Sequence, residues 1–243
     1  LLVAPAALSL MAPVAVNADT AFSSSTTLSG TAFFTVGSVE AGTGDLNEEL
    51  YSQHAYTLDV NSSFDGKDLL SVGIEAGDAE SGDPLTSMDS TIEGDSSLKV
   101  ASLFYSFPIG DLSVTAGPLV DQDDVVGATV SAYSDAFRLG AMPYSLAGSE
   151  TGPGVGATYA TDNGIVASAS FVADDGDDAA KGINTDSGND VTTLTLGYNG
   201  DGFGGGVVIA SNDGDVGTVG YDTFGAGIYY SPESFPATIS VAY

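Results

Sequence analysis

Apolar and polar side chains alternate with a period of two from Ser24 to the end of this 243-residue chain, and helical periodicity is almost absent. Because successive side chains of a strand point to opposite faces, the alternation predicts an all-β chain whose strands each have one apolar and one polar face. We expect about ten or eleven strands, placed to within about two to four residues. They are 24–37, 52–63, 69–77, 97–107, 112–119, 152–160, 165–173, 191–199, 203–212, 221–230 and 237–243.

Short and long connections alternate strictly between these strands. The short ones carry the Gly, Asn, Asp and Pro residues of hairpin turns, whereas the long ones are rich in acids. The short turns are 64–68, 108–111, 161–164, 199–202 and 231–234, and the long segments are 38–51, 78–96, 120–150, 174–190 and 211–220. Bacterial outer-membrane barrels have short periplasmic turns and long external loops, so this order predicts an antiparallel transmembrane β-barrel.

The charge of the chain is strongly acidic, with 33 acidic and 4 basic side chains and a formal net charge of -29. Four scattered basic residues cannot neutralise a phosphate backbone, so nucleic acid is excluded as a partner. Of the acids, 23 lie in the five long segments and Asp222 lies at a strand margin, while the only two well inside strands, Asp59 and Glu75, are on the polar face. A wall that faces hydrocarbon must exclude unpaired carboxylates, so we expect membrane lipid to cover the apolar face.

An open sheet edge cannot exist in hydrocarbon, because water is absent there and each unpaired backbone group is costly. The strands are therefore expected to close into a barrel. Channel-forming bacterial barrels have an even number of strands, about 16 to 18. We therefore expect residues 19–243 to form a barrel domain that lacks its C-terminal part, with a smaller complete barrel as the alternative.

The first 18 residues contain no charged side chain and end in Val16-Asn17-Ala18, small residues that a signal peptidase accepts. This pattern predicts a secretory signal peptide over residues 1–18, clipped at its N-terminus. The segment is shorter than the roughly 20 apolar residues of a spanning helix, and Pro5 and Pro13 interrupt it. The alternative is a buried hydrophobic arm.

The third long segment, 120–150, is the longest and the most apolar of the five. A segment so rich in aromatic and aliphatic residues is not expected to hang in water. We expect it to fold into the barrel and narrow the lumen, with a cap over a neighbouring subunit as the alternative. Its candidate pore-lining residues are Asp121, Asp123, Asp124, Asp135 and Arg138.

Two further candidate pore-lining residues, Asp59 and Glu75, lie on the two strands of one hairpin. Their positions predict cross-strand neighbours on the lumen face, and two like charges so placed predict a cation-preferring channel. The alternative is a pair of ordinary solvated acids without effect on selectivity. Lys99 shares a face with apolar residues, so we expect it on the lipid side near the long-segment interface, where a lysine can snorkel.

The residue types that most catalytic and metal sites need are scarce. The chain has no cysteine and one histidine, His54, which excludes thiol catalysis and multi-His or Cys-based zinc sites. His54 could serve a membrane-barrel hydrolase, but no G-x-S-x-G element accompanies it. We expect no enzymatic activity, no cofactor and no metal site.

Several stretches of the chain resemble the outer-membrane porins of cyanobacteria, especially those of marine picocyanobacteria, which are related to the carbohydrate-selective and iron-uptake porin group. The resemblance extends over nearly the whole chain and is most specific in the first and the last two stretches. They are LLVAPAALSLMAPVAVNA, SSSTTLSGTAFFTVG, AYTLDVNSSFDGKDLL, LFYSFPIGDLSVTAGPLVDQDD and YSDAFRLGAMPYS.

This resemblance implies a homotrimeric porin of the cell outer membrane through which small hydrophilic solutes and inorganic ions, here mainly cations, diffuse passively. Porins of this group usually carry a surface-layer homology domain that tethers them to peptidoglycan. Here the first strand follows the signal directly, so the tether is not carried over to this chain. The alternative from another class is a secreted or surface β-sandwich or adhesin whose acidic loops bind calcium or a partner.

Overall fold

The chain folds as a single antiparallel sheet in a computed structural model that describes residues 6–9, 25–38, 50–80, 91–128, 151–215, 217–232 and 237–243. Among these residues there are twelve strands, and their order in the sheet is their order in the chain. The strands are β1 Ala6–Ser9, β2 Ser25–Gly37, β3 Tyr51–Ser63, β4 Leu69–Gly77, β5 Lys99–Ile109, β6 Leu112–Asp121, β7 Thr151–Ala160, β8 Ile165–Ala173, β9 Asp190–Gly200, β10 Phe203–Asn212, β11 Tyr221–Tyr230 and β12 Ile239–Ala242.

The all-β prediction is confirmed, and β2 to β12 correspond one to one to the eleven predicted strands. No strand end differs from its predicted position by more than two residues. The additional strand, β1, lies inside the predicted signal segment and pairs antiparallel with Thr31–Phe34 of β2. The sequence could not indicate this strand, because an uncharged leader and a short apolar strand have the same composition. Cleavage after residue 18 stays a prediction.

The chain divides into two compact units, of which the first contains β2, β3 and most of β4. In its β2–β3 ladder, odd-numbered residues pair with odd ones and even with even, so the two parities occupy opposite faces. The odd face is mostly polar and includes buried Thr35 and Gln53. The even face exposes Leu28, Phe34 and Val36, as the alternation predicts.

The second unit contains most of β5 and all of β6 to β12, and it shows the same division over a larger area. One face of β7 to β12, the apolar face, exposes large hydrophobic side chains at alternate positions. The opposite, polar face has small and hydroxylated side chains that are mostly buried. The exposed members of the apolar face are Val155, Tyr159, Ile165, Leu194, Leu196, Tyr198, Phe203, Val207, Ile209, Phe224, Ile228, Tyr230, Ile239 and Val241.

The usual distribution of hydrophobic residues is inverted in this sheet. Within the described ranges, the fully buried hydrophobic side chains are all alanine or valine, whereas the larger ones are exposed, Leu196 to 56% and Ile228 to 69%. A water-soluble sandwich buries its largest hydrophobic side chains, because each contributes most to stability when removed from water. In the described part of the chain, no helix is long and apolar enough to cross a membrane.

A β-bulge in β6 changes which face its last residues occupy. The β6–β7 register shifts by one residue between Gly117 and Val120, so Val120 pairs with Gly152 and is directed to the polar face, where it is fully buried. Gly117 lies within the bulge, and a Cβ atom there would approach the Leu103 carbonyl oxygen to 2.2 Å. Only glycine allows this contact between β5 and β6, so the bulge depends on it.

We predict that Gly117→Ala destabilises the protein by about 1–3 kcal/mol, because the new methyl group meets backbone atoms that cannot rotate away. The measurement is chemical unfolding in detergent, followed by circular dichroism. Ser113→Ala, at an exposed position of the same strand, is the control and should change stability little. Equal stabilities of the two variants would contradict a bulge at this position.

Candidate functional site

Residues 121–128 leave the end of β6 and lie on the polar face of the second unit; we call this segment the strap. It begins with a single 3-10 turn, Gln122–Val125, and continues to Ala128 in extended form. Its contacts are with β6, β7, β8, β9 and β10. The described first part of the third long segment therefore packs on the polar face of the sheet, while its course into a barrel lumen stays a prediction.

The aspartates predicted to line the pore cap this turn. Asp121 accepts hydrogen bonds from the Asp123 N–H at 3.1 Å and from Thr151 Oγ1 at 2.8 Å, while Asp124 accepts one from the Asp121 N–H at 2.9 Å. Such a reciprocal capping box satisfies backbone donors at the start of the turn. Two of the three carboxylates thus orient the strap, and all three remain at the long-segment end of the strands.

Gln122 fixes the upper end of the strap to β9. Its side chain is fully buried, and its Nε2 group donates a short hydrogen bond to Thr193 Oγ1. The Oε1 atom has no hydrogen-bond partner among the described residues. A buried amide that keeps one of its polar atoms unpaired is held in place by packing and by its remaining bond.

The middle of the strap rests on glycines of β7. Val125 packs with Val120 and Val172 in a small apolar cluster, and its carbonyl accepts a hydrogen bond from Thr158 Oγ1 at 3.3 Å. A Cβ atom at Gly156 would lie 2.4 Å from a Val125 methyl group. Because Gly156 has no side chain, the Val125 side chain can occupy the space next to the β7 backbone.

The lower end of the strap reaches toward the short turns. The Gly127 N–H donates to Ser168 Oγ at 3.0 Å, and the Gly127 carbonyl accepts from Asn199 Nδ2 at 3.2 Å. Ala128 occupies a slot over two glycines: Cβ atoms built at Gly197 and Gly206 would lie 2.7 and 2.8 Å from its own Cβ. We call this contact the glycine slot.

The strap runs along the strands rather than across them. Gln122 contacts Thr193 near the long-segment end of β9, and Ala128 contacts Gly197 four residues further along the same strand. At about 3.4 Å per residue, this separation is roughly 14 Å, about half the thickness of a hydrocarbon core. A segment of this kind covers a long stretch of the polar face.

The two acids of the first hairpin do not form the predicted pair of bare charges. Glu75 Oε1 lies 2.8 Å from Lys99 Nζ, so its nearest charge is positive. The Asp78 N–H donates to the His54 carbonyl, and a ladder continued from this bond puts Asp59 diagonal to Glu75 rather than opposite it. Asp59 itself is exposed and pairs with Ser29 on the polar face.

The ammonium group of Lys99 is paired with Glu75, a contact that alternation did not predict, and the position of Lys99 on the lipid side stays a prediction. Strand periodicity gives the face of a Cα–Cβ bond but not which residues of β4 and β5 lie side by side, and this is why the pair was missed. Two other predicted pore residues, Asp135 and Arg138, lie outside the described residues.

A second group of charged residues ties two long segments together in the same unit. Lys181 Nζ contacts Asp175 Oδ2 at 2.8 Å and Asp215 Oδ2 at 3.2 Å. Hydrogen bonding to Asp175, and then to Asp215, raises the pKa of Lys181, which therefore stays charged. Across the described ranges, no group of three or more His, Cys, Asp or Glu side chains is arranged to hold a metal ion.

Comparisons with known proteins add no assignment to this site. No protein-family model matches the chain, and no curated protein matches it.

We predict that Gly206→Ala displaces the strap and destabilises the protein, because its methyl group would overlap Ala128 in the glycine slot. The expected loss is about 1–3 kcal/mol in chemical unfolding. Adding Ala128→Gly to this variant should recover most of the loss, since it removes the other half of the clash. If the double variant is no more stable than Gly206→Ala alone, Ala128 does not occupy the slot.

We predict that Asp124→Asn is at least as stable as the wild type at pH 7. Loss of solvation raises the pKa of Asp124 despite the Asp121 N–H bond, and the Asp121 charge acts in the same direction. The folded state therefore binds this proton more tightly than the unfolded state, and ionisation of Asp124 disfavours folding. The amide retains the acceptor oxygen without the charge.

The advantage of Asp124→Asn should shrink as the pH falls through the raised pKa and vanish below about 3.9, the ordinary value for aspartate. Melting temperatures in detergent between pH 3 and 8 measure this difference, with Asp178→Asn, in an exposed turn, as the control. A variant that is less stable than the wild type at pH 7 would show that the carboxylate charge itself stabilises the cap.

Proposed function

We propose that the chain is an outer-membrane porin domain whose sheet closes into a barrel, with the apolar face toward lipid and the polar face toward an aqueous lumen. Small hydrophilic solutes and inorganic ions diffuse through it, and cations are preferred. The observation that carries this proposal is the inverted sheet, in which large hydrophobic side chains are exposed and small polar ones are covered.

The inverted sheet supports a lipid environment on energetic grounds. Each exposed leucine or isoleucine of the apolar face gains about 1.5–3 kcal/mol when it is fully removed from water. Fourteen exposed large hydrophobic side chains, six of them leucine or isoleucine, line one face of β7 to β12. Patches of this extent on soluble monomers are rare, and lipid or another protein normally covers them.

The side chains of the polar face support a polar interior rather than an apolar one. Its buried side chains include hydroxyl groups on neighbouring strands, such as Ser168 and Thr195, whose oxygens are 2.5 Å apart. Hydroxyl pairs of this kind satisfy one another beneath the strap, and the face needs few charged groups to stay hydrated. The strap reduces the free cross-section of the proposed lumen without filling it with large hydrophobic side chains.

Cation preference is supported by the net charge and by where the acids lie. The carboxylates of Asp121, Asp123 and Asp124 mark the upper end of the strap, and the long segments that surround the entrance are rich in further acids. Acidic rings favour cations in channels, whereas anion pores use arginine and lysine. The Glu75–Lys99 pair contributes little to this field, because its charges cancel at short range.

The family, the location and the assembly belong to the same proposal. The resemblance to cyanobacterial porins implies a homotrimer in the outer membrane, and the two-faced sheet with short turns at one end is compatible with both. The one histidine, His54, contacts Asp78 Oδ2 through Nδ1 at 2.9 Å, and under this proposal it has no catalytic role.

Single-channel recording in planar bilayers under a salt gradient tests the proposed function. We expect stepwise conductance and a reversal potential whose sign indicates cation selectivity. Asp123→Asn and Asp59→Asn should each reduce the magnitude of this reversal potential. A chloride-preferring channel would refute the selectivity, and purified protein that is soluble and monomeric without detergent would indicate the secreted β-sandwich or adhesin instead.

We predict that Leu196→Arg impairs insertion into lipid vesicles far more than Thr192→Arg. Both positions are exposed on the apolar face of β9, but Leu196 is near the middle of the strand and Thr192 near its long-segment end. An arginine at the bilayer midplane costs about 2–4 kcal/mol, and one near the interface about 0–1. Urea titration of folding into vesicles measures both costs.

Because the two variants share strand, face and new residue, they control for everything except depth. A water-facing sheet tolerates both arginines equally, so equal effects would contradict a lipid environment for this face.

A further inference from the structure

We propose that Gln122 is the positioning residue that sets the width of the pore, because it holds the strap seated against β9 while solutes pass. This inference rests on the proposed function, and it adds which contact determines the free cross-section. In this view the strap is a fixed lining of the lumen rather than a gate that swings during conduction.

The first step is that the strap is attached at both ends. At its upper end, the fully buried Gln122 donates to Thr193 on β9. At its lower end, Gly127 donates to Ser168 on β8, and Ala128 sits in the glycine slot formed by β9 and β10. Both ends therefore carry a hydrogen bond, and the lower end is in addition restricted in position by the shape of the glycine slot.

The second step compares the polar side chains of the strap. Among them, Gln122 is the one that bonds to the strand furthest from β6 in the order of the sheet. It starts from the end of β6 and bonds to β9, passing the positions of β7 and β8. The other side chains of the capping turn do not provide such a tie, since Asp121 bonds to its own turn and to Thr151 of β7. Asp121 and the capping turn stay attached to β6 and β7, so loss of the Gln122 bond releases the contact of the strap with β9.

The third step concerns what a broken bond leaves behind. Gln122→Leu keeps the side-chain volume but removes the donor, so the buried Thr193 hydroxyl loses its partner. Thr193→Val keeps the shape but removes the acceptor, so the buried amide loses its partner. A buried polar group without a partner is disfavoured, whereas replacement of both by apolar groups of similar shape is nearly neutral.

These steps predict an ordered set of single-channel conductances. Gln122→Leu and Thr193→Val should each raise the conductance about 1.5- to 2-fold and broaden its distribution, because the strap is released from β9. The double variant should return to within about 20% of the wild type, because two apolar side chains seat the strap again. A residue with a merely structural role would lower the yield of folded channel without changing the conductance of those that fold.

A disulfide lock tests the fixed position of the strap independently of Gln122. The chain has no cysteine, and a Cβ atom at Gly127 would lie 3.4 Å from Ser168 Cβ, close to the 3.5–4.5 Å of a disulfide. The same Cβ atom would lie 2.7 Å from a Val166 methyl group, so the two cysteines are introduced together with Val166→Ala. The Gly127→Cys/Ser168→Cys variant should cross-link on oxidation, shown by its gel mobility in denaturant with and without reductant. Its conductance should be the same before and after reduction.

The outcomes separate this inference from the proposed function. If the oxidised lock lowers the conductance of the wild type, the strap moves during conduction and the inference is wrong. If Gln122→Leu conducts as the wild type does, Gln122 does not set the width. If the cross-link forms but no variant conducts, the proposed function fails and the inference fails with it, although the seat of the strap is then established by the gel alone.

Discussion

The whole structure depends on one constraint: successive side chains of a strand lie on opposite faces of the sheet, and the two faces are in different environments. In this chain the constraint is applied with unusual consistency over eleven strands, and it separates large hydrophobic groups from small polar ones. The separation runs opposite to that of a soluble sandwich, because the large groups are the exposed ones. The bulge of β6 directs Val120 to the polar face, and the glycines beneath the strap lie on the same face.

The strap shows how the polar side is adapted to carry a second layer. Large side chains would hold a covering segment away from the sheet, and charged ones would need water beneath it. Glycines at 156, 197 and 206 instead let Val125 and Ala128 approach the backbone closely. The bulge that directs Val120 to this side begins the same path. Glycines lower the stability of an isolated strand, but in this sheet they mark the positions where another segment packs against it.

The sequence predicted the strands and their two faces, because both follow from period-two alternation and from composition. It did not predict the contacts that hold the strap. Gln122 is one amide among several polar residues, and its partner Thr193 is 71 residues away. The Glu75–Lys99 pair was not predicted, because alternation does not say which residues of β4 and β5 lie side by side. Contacts between strands that are distant in the chain depend on the register of each strand pair and on bulges, and neither can be predicted from a single sequence.

Accessibility of paired nitroxide labels in lipid vesicles tests the central claim most directly. Phe224 and Thr223 are consecutive on β11, with Phe224 on the apolar face and Thr223 on the polar face. Cysteine variants of the two, labelled and reconstituted, should differ sharply: the label at 224 should collide more with oxygen, which dissolves in lipid, and the label at 223 more with a water-soluble nickel chelate. Equal accessibilities, or the reverse order, would contradict an apolar face in lipid and a polar face in water.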